Sequence, residues 1–402
     1  MKREQRNRDR FARLLIERLR RGGETRPIEY DREDFLLCIG DDTYRLGNLF
    51  YYYTSYRGRR RDEYLCTQVR AWFVTQKGLP PCLTDVKADL LPKLESRAEL
   101  DAEKLDRDWK AACPYQLIGE HLGLTLVYDL PDAFARLSES HLKKWGVSLD
   151  EAMTVARQNL LTLPMPVFVS PHPGVHVSRT GDNYDATRLI LTEVVGELPV
   201  SGATIAMPVQ RDTLIITGTE DEAGLAAMAE IAVEEHKKPY GIALLAFRLE
   251  QGEWLPWLPA PEHPQHQAFR NLELQYISEA YSRQKRLLEQ ICVKEEGEFC
   301  FPAAFAVCQH KDTDKRHSVT MLIEAAMPNS CPVAEEICIT RATGPTIADE
   351  DVCLVDWSHA VEILGDAMRP LDIYPPRYLV TEFPNGAKWE RLRQVAYKPP
   401  AP

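Results

Sequence analysis

The sequence has no hydrophobic run long enough to cross a membrane and no stretch that resembles a secretory signal. A membrane helix needs about 18 to 20 consecutive apolar residues, and a signal peptide needs an uninterrupted apolar segment before a small-residue cleavage site. The chain begins instead with the arginine-rich segment MKREQRNRDRFARLLIERLRR. We therefore expect a cytoplasmic protein without a membrane span.

The short motifs of the commonest enzyme classes are also missing. The sequence has no GxSxG nucleophile elbow, no GxxxxGK[ST] phosphate loop, no HExxH zinc motif and no GxGxxG after a predicted strand. Each of these spacings places a nucleophile, a phosphate cradle or a pair of metal ligands in working geometry. Their absence lowers the chance of the corresponding hydrolases, NTPases, metalloproteases and dehydrogenases without excluding an enzyme.

No pair of cysteines has CxxC spacing, although the chain contains ten cysteines. Several lie inside apolar runs such as FLLCIG and EEICIT, which indicates free thiols in a protein core. His172 and His176 are four residues apart, but the intervening Pro173 and Gly174 prevent the helix that would direct both side chains at one metal ion. We expect no metal site and no cofactor.

The composition is that of a folded protein with more than one domain, since 402 residues with 44% hydrophobic content exceed one ordinary core. We predict an α+β fold with two domains, each a mainly antiparallel sheet with helices packed on it. The first domain is residues 1–255, helical over about 1–160 and with a strand-strand-helix pattern over about 161–255. A proline-rich linker at 256–266 precedes the C-terminal α+β domain, 267–402.

Individual elements of the first domain follow from local patterns. The polar segment 83–112 is helix-prone and is predicted to cross the surface. Ser148 and Glu151 have the spacing of a capping box, so a helix is expected to begin there. Thr219 and Glu222 have the same spacing before a second helix.

Charge is unevenly distributed along the chain. The net charge is −11, yet residues 1–26 carry ten Lys or Arg against four Asp or Glu. Phe11, Leu14, Leu15 and Leu19 repeat at helical spacing, which predicts an amphipathic helix with a basic outer face. Such a face is explained by solvation alone. A contact with nucleic acid or another anionic surface is the alternative.

A second basic group lies in the segment YRGRRR. Arg57, Arg59, Arg60 and Arg61 stand beside tyrosines, and guanidinium groups bind phosphate through paired hydrogen bonds. An exposed loop that binds nothing would have the same composition. The sequence therefore leaves two possibilities for these four arginines, a solvated loop or contact with a ligand or partner.

The segment GDNYDATRLILTEVV contains the most concentrated set of candidate catalytic residues, Asp182, Asp185 and Arg188. The sequence predicts one mostly buried helix that starts here, with Asp182 as its N-cap and Asp185 paired to Arg188 at i, i+3. A purely architectural role explains all three residues. Ligand contact and catalysis are the alternatives, and catalysis would require a base, a nucleophile or a metal nearby.

Three segments taken together resemble the bacterial YtpQ-like family, a domain of unknown function. They are WGVSLDEAMTVARQNL, DNYDATRLIL and IAMPVQRDTLIITG. The resemblance covers roughly residues 1–255, with an extra C-terminal domain beyond it. It implies that the family's aspartates and arginine correspond to Asp182, Asp185 and Arg188, with Asn159 at the end of the preceding helix. Asn183 stands where the family pattern has glycine, and the resemblance implies no reaction.

Two functions are consistent with these patterns. The first is a non-catalytic binding or adaptor protein with a protein partner, or a nucleic acid bound through the basic N-terminal region. The second is a hydrolase-type enzyme for a phosphate-bearing or acyl substrate that uses Asp182, Asp185 and Arg188.

Overall fold

The computed structural model describes residues 2–105, 113–294, 300–309, 315–341 and 351–397. They form helices packed against sheets whose strands are mostly antiparallel, which confirms the predicted α+β class. Two strand pairs in the C-terminal part are parallel.

The N-terminal helix packs its apolar face on a three-stranded antiparallel sheet and two further helices. Phe11, Leu15 and Leu19 lie on one face because they are spaced by about one turn each, and all three are buried. The predicted amphipathic helix is therefore confirmed. The elements are α1 (Lys2–Gly22), β1 (Ile28–Asp31), β2 (Leu36–Ile39), β3 (Asp42–Arg45), α2 (Gly47–Ser55) and α3 (Arg59–Thr75).

A second antiparallel sheet has one long central strand, β6, which pairs with three other strands. Three helices accompany it, and two short 3₁₀ turns, Leu83–Asp85 and Lys87–Asp89, precede it. The elements are β4 (Leu90–Ser96), α4 (Arg97–Leu105), β5 (Gln116–Ile118), β6 (Leu122–Leu130), β7 (Ala133–Arg136), α5 (Glu139–Trp145) and α6 (Leu149–Thr162).

Helix α4 agrees with the prediction that the segment 83–112 is helix-prone, but strand β4 contradicts it. Strand β4 pairs with β6 along its full length, from Leu90 opposite Tyr128 to Ser96 opposite Leu122, and it is almost completely buried. The charged residues within and around it gave this segment the composition of an exposed helix, whereas cross-strand pairing decides its conformation. The predicted part at 106–112 lies outside the described residues.

The third sheet has six strands in the order β13-β12-β10-β11-β9-β8, all antiparallel. Helix α8 packs on its central strands β10 and β11. The elements are β8 (Phe168–Val169), β9 (His176–Ser178), α7 (Thr192–Gly196), β10 (Thr204–Gln210), β11 (Thr213–Gly218), α8 (Glu222–His236), β12 (Ala246–Glu250) and β13 (Glu253–Trp257).

The single helix predicted after Gly181 is wrong. The chain forms a 3₁₀ helix over Ala186–Ile190 and then the short α7, separated by Leu191 at φ −87° and ψ 67°. Asn183, with φ 71°, keeps the preceding residues out of a right-handed helix. The predicted burial is correct, because Ala186–Ile190 is buried throughout.

Of the two predicted capping boxes, the first is confirmed and the second is wrong. Ser148 accepts a hydrogen bond from Glu151 N at 3.2 Å, and the Glu151 carboxylate accepts one from Ser148 N at 2.8 Å. Helix α8 is instead capped by Asp221, whose carboxylate accepts a hydrogen bond from Gly224 N at 2.8 Å. The Thr219 hydroxyl accepts from an amide outside the helix.

The C-terminal part begins with one long helix and contains two four-stranded sheets, β15-β16-β18-β19 and β14-β17-β21-β20. Strands β15 and β16 form an antiparallel hairpin. The elements are α9 (His266–Lys294), β14 (Phe301–Pro302), β15 (Phe305–Gln309), β16 (Arg316–Ile323), β17 (Asn329–Pro332), β18 (Glu336–Thr340), β19 (Val352–Asp356), α10 (Trp357–Leu364), β20 (Met368–Pro370), β21 (Arg377–Val380) and α11 (Gly386–Val395).

Buried hydrophobic side chains of the described residues form three clusters, which lie in the N-terminal, central and C-terminal parts. Helix α9 contributes Phe269, Leu272 and Tyr276 to the central cluster, although these residues follow the predicted linker. Further along the same helix, Gln284 Nε2 donates to Pro375 O at 2.8 Å in the C-terminal part. The proposed division into domains at 256–266 therefore stays a prediction.

None of the cysteines that the structure describes forms a disulfide, but not all of them are in the core as expected. Three are buried and three are partly buried. Cys66, Cys82 and Cys308 are exposed.

Candidate functional site

Asp182 and Arg188 form a two-point ion pair that closes the loop before the 3₁₀ helix. The Arg188 guanidinium donates to the two Asp182 oxygens at 2.8 and 2.5 Å and to the Pro164 carbonyl at 3.1 Å. Arg188 is only 1% exposed. The predicted pairing of Arg188 with Asp185 is therefore wrong, because the turn at Asn183 brings Asp182 to the guanidinium instead.

Asp185 is completely buried and holds the other side of the same loop. Its carboxylate accepts hydrogen bonds from Thr180 N at 2.8 Å, from Gly181 N at 2.9 Å and from the Ser178 hydroxyl. It stands at the N-cap position of the 3₁₀ helix but does not cap it with its side chain. These bonds, together with the Asp182–Arg188 ion pair, indicate an architectural role for the three candidate catalytic residues.

Asn159 is likewise engaged by the backbone. Its side-chain amide donates to the carbonyls of Lys87 and Leu90, both at 2.8 Å, and so ties α6 to the start of β4. The role of Asn159 is therefore to link two elements, which differs from the role of the Asp182–Arg188 ion pair.

The predicted arginine loop is largely the first turn of α3. Arg61 turns inward, where its Nε donates to the carbonyls of Tyr53 and Tyr56 at 2.9 and 3.0 Å and its guanidinium lies 4.7 Å from the centre of the Tyr53 ring. These carbonyls belong to the end of α2, where a cation is favoured. Arg61 therefore joins two helices.

The other three arginines face solvent. Arg57 and Arg60 are exposed, and Arg59 is paired with Glu63 at 2.7 Å on the same helix face. Exposed pairs of this kind contribute about 0.2–1 kcal/mol. These side chains are available to an acidic partner, but the structure does not bring them together with Asp182, Asp185 or Arg188.

A cavity of about 620 Å³ lies between the N-terminal helices and the two central sheets. Its walls come from parts of the chain that are remote in sequence. Asn183 and Tyr184, two of the five residues between Asp182 and Arg188, line it. Other side chains that line the cavity are Tyr52, Tyr56, Tyr64, Trp72, Lys93, Asp129, Phe134, Arg211 and Tyr240.

Tyrosine rings form one wall of this cavity, hereafter the tyrosine cavity. The ring centres of Tyr52 and Tyr240 are 6.0 Å apart and nearly parallel, and Tyr64 lies 6.1 Å from Tyr52 and 5.4 Å from Tyr56. Flat aromatic faces favour planar ligands, and phenol hydroxyls supply hydrogen bonds at their edges.

Lys93, from the middle of β4, forms the opposite side. Its ammonium donates to the Asn183 carbonyl at 2.8 Å and lies 4.5 Å from the centre of the Tyr184 ring and 4.8 Å from that of Phe134. The Tyr184 hydroxyl in turn donates to Asp129 at 2.8 Å. Lys93 is only 4% exposed, so its charge faces the cavity rather than bulk water.

Arg211, at the turn between β10 and β11, adds a second cation. Its guanidinium lies 4.1 Å from the centre of the Tyr240 ring and pairs with Asp212 at 3.0 Å. This cation–π contact places the guanidinium against the tyrosine wall.

Burial shifts the protonation of the groups that line the cavity. It lowers the pKa of Lys93 to about 8, and the nearby charge of Arg211 acts in the same direction. Burial also raises the pKa of Asp129, against the hydrogen bond from Tyr184, and raises the pKa of Tyr52 to about 12. An amine with a lowered pKa beside a carboxyl group with a raised one is typical of functional sites.

Sequence reasoning missed Lys93, Asp129, Arg211 and Tyr240. The one available indication was a lysine inside the apolar segment DLLPKLES, where a charge needs a specific environment. The other residues are brought together only by the tertiary fold.

The fold and the cavity define an α+β protein with a tyrosine-lined pocket that contains a buried amine. In the described residues, no helix combines the length and apolarity needed to cross a membrane.

Distant similarity relates this chain to UPF0354 proteins, which are uncharacterised. It is 26% identical over 125 residues to a UPF0354 protein of Listeria welshimeri and 28% identical over 125 residues to one of Listeria monocytogenes. Each match covers 29% of this chain and 47% of the relative, so the chain spans about half the length of the curated relatives it matches. No family model and no solved structure matches the chain.

Proposed function

We propose that this is a cytoplasmic bacterial binding protein whose tyrosine cavity takes a small planar ligand with an anionic group. The observation that carries the proposal is a cavity of about 620 Å³ in which the cations of Lys93 and Arg211 are set among aromatic rings. This volume is within the range of small-molecule sites, about 300–1,000 Å³.

The charges of the cavity favour an anion. Asp132 at its rim is paired with Arg70 at 2.8 Å, and Asp129 accepts the Tyr184 hydroxyl. Lys93 has no ion-pair partner within the described part of the chain, so an incoming carboxylate or phosphate supplies its missing counter-charge. Aromatic faces beside it bind the planar remainder of the ligand.

Binding of phenyl phosphate, followed by isothermal titration calorimetry, tests the proposal. Phenol is the uncharged comparison. Lys93→Met is expected to weaken phenyl phosphate binding about tenfold or more, since hydrogen bonds to charged groups contribute about 1.5–3 kcal/mol, and to leave phenol binding nearly unchanged. Lys87→Met, an exposed lysine just before the same strand, is the matched control and should change neither. Equal affinity of phenol and phenyl phosphate for the wild type would contradict the proposal.

The partner contact predicted at the N-terminal region is a second proposal. The exposure of Arg57, Arg59 and Arg60 supports a salt-sensitive contact with an acidic protein or nucleic acid surface. We also propose that the chain is a divergent YtpQ-like protein. The alternative of a hydrolase that uses Asp182, Asp185 and Arg188 gains no support, because each of these side chains is engaged within the loop.

A further inference from the structure

Lys93 differs from the other cations of the cavity in lacking a carboxylate partner. Its ammonium is held by one backbone carbonyl, that of Asn183, and by the faces of Tyr184 and Phe134. Within the described residues no acidic side chain forms an ion pair with it. A buried ammonium in this environment is costly, and loss of its proton removes the cost.

The surroundings leave part of Lys93 as a free amine near neutral pH. Burial and Arg211 lower its pKa to about 8, while the more distant Glu95, Asp212 and Asp129 act in the opposite direction. About one molecule in ten then carries the neutral amine at pH 7, compared with fewer than about one in a thousand for an ordinary lysine. A neutral amine is a nucleophile.

A proton carrier stands beside this amine. The Tyr184 hydroxyl donates to Asp129 at 2.8 Å, and the Tyr184 ring is the one that contacts the Lys93 ammonium at 4.5 Å. All three residues line the same cavity. A carboxyl group gives and accepts protons in general acid–base catalysis, and burial raises the pKa of Asp129.

We propose that Lys93 forms an imine with an aldehyde or ketone that is bound in the tyrosine cavity with its anionic group at Arg211, an inference that rests on the proposed binding function. The Lys93 Nζ lone pair adds to the carbonyl carbon, Nζ loses one proton, and the oxygen takes one up. Nζ then loses its second proton, the oxygen takes up a second proton and leaves as water when the C–O bond breaks, and the C=N bond forms. Asp129 and Tyr184 pass these protons from nitrogen to oxygen, and no oxidant or reductant is required.

Reductive trapping with 4-formylbenzoate and sodium cyanoborohydride, followed by peptide mass spectrometry, tests the imine in the full-length wild-type chain. The adduct is expected at Lys93 more than about tenfold faster than at the exposed Lys87, because a larger fraction of Lys93 is unprotonated. The trapping rate should rise with pH up to about 8. Asp129→Asn should slow trapping at Lys93 when rates are compared at equal occupancy, which the binding of 4-(hydroxymethyl)benzoate measures for each variant.

The two proposals fail in different ways. 4-(Hydroxymethyl)benzoate has the same shape and charge but no carbonyl, so it measures binding alone. If 4-(hydroxymethyl)benzoate binds but 4-formylbenzoate gives no adduct at Lys93, the imine is overturned and the binding function stays in place. The same conclusion follows if Lys93 reacts no faster than Lys87. Absence of both binding and adduct overturns both. Lys93→Arg removes the primary amine and should lose the fast adduct, and Lys87→Arg should change neither the adduct at Lys93 nor the binding of 4-(hydroxymethyl)benzoate.

Discussion

Asp182 and Arg188 show how a charged cluster acquires its role from the backbone around it. Their residue types indicated a polar group at the start of a buried segment, and the structure contains one. Which carboxylate meets the guanidinium depends on the φ of 71° at Asn183, which no residue spacing specifies. The same turn directs Asn183 and Tyr184 to the cavity. Asp182 and Arg188, which were candidate catalytic residues, therefore hold in place two residues that line the cavity.

Loss of the Asp182 charge should destabilise the protein. Asp182→Asn leaves the guanidinium of Arg188 buried without a counter-charge, and we expect a loss of about 2–3 kcal/mol in the free energy of unfolding, measured by urea denaturation. Burial alone would raise the pKa of Asp182, but the hydrogen bonds and charge of Arg188 lower it overall. The stabilisation is therefore full above about pH 5 and disappears as pH falls through the lowered pKa.

A matched exposed pair serves as the control for this experiment. Asp62 pairs with Arg18 at 2.9 Å but is mostly exposed, so Asp62→Asn should cost no more than about 0.5 kcal/mol. An equal cost for the two variants, or a difference between wild type and Asp182→Asn that stays constant down to pH 3, argues against the assigned ion pair.

At the scale of elements, periodicity predicted the amphipathic N-terminal helix correctly, and local patterns failed where tertiary partners decide. Strand β4 was missed because Lys93 and Glu95 gave it a polar composition. In the structure Lys93 is met by aromatic rings, and Glu95 by the Thr125 hydroxyl and Arg136. Both sets of partners come from other elements, which sequence-local patterns do not report.

The start of α8 offers a direct test of one corrected element. Asp221→Ala removes the side chain that caps Gly224 N, and we expect a loss of about 1 kcal/mol in the free energy of unfolding. Glu222→Ala should cost only a few tenths of a kcal/mol, since Glu222 acts through the helix dipole alone. Urea denaturation of both variants distinguishes the two assignments. A larger cost for Glu222→Ala than for Asp221→Ala restores the predicted Thr219–Glu222 capping box.

At the scale of the whole molecule, the cavity exists because parts that are remote in sequence meet. The N-terminal helices supply Tyr52 and Tyr64, β4 supplies Lys93, and the turn between β10 and β11 supplies Arg211. Local sequence patterns do not report the contact between these parts. Helix α9 is a further example. The proline-rich segment before it suggested a domain boundary, but the first turns of α9 complete the central core.

Two fragments should show where the central core ends. Fragment 1–294 keeps Phe269, Leu272 and Tyr276 of α9, whereas fragment 1–260 loses them and exposes the surface they cover. Burial of a large apolar side chain contributes about 1.5–3 kcal/mol, so fragment 1–294 should be more stable to urea by several kcal/mol. Fragment 1–294 with Phe269→Ala and Leu272→Ala is the matched control, and it should approach fragment 1–260. If the two fragments unfold at the same urea concentration, α9 belongs to the C-terminal domain alone and the boundary at 256–266 is correct.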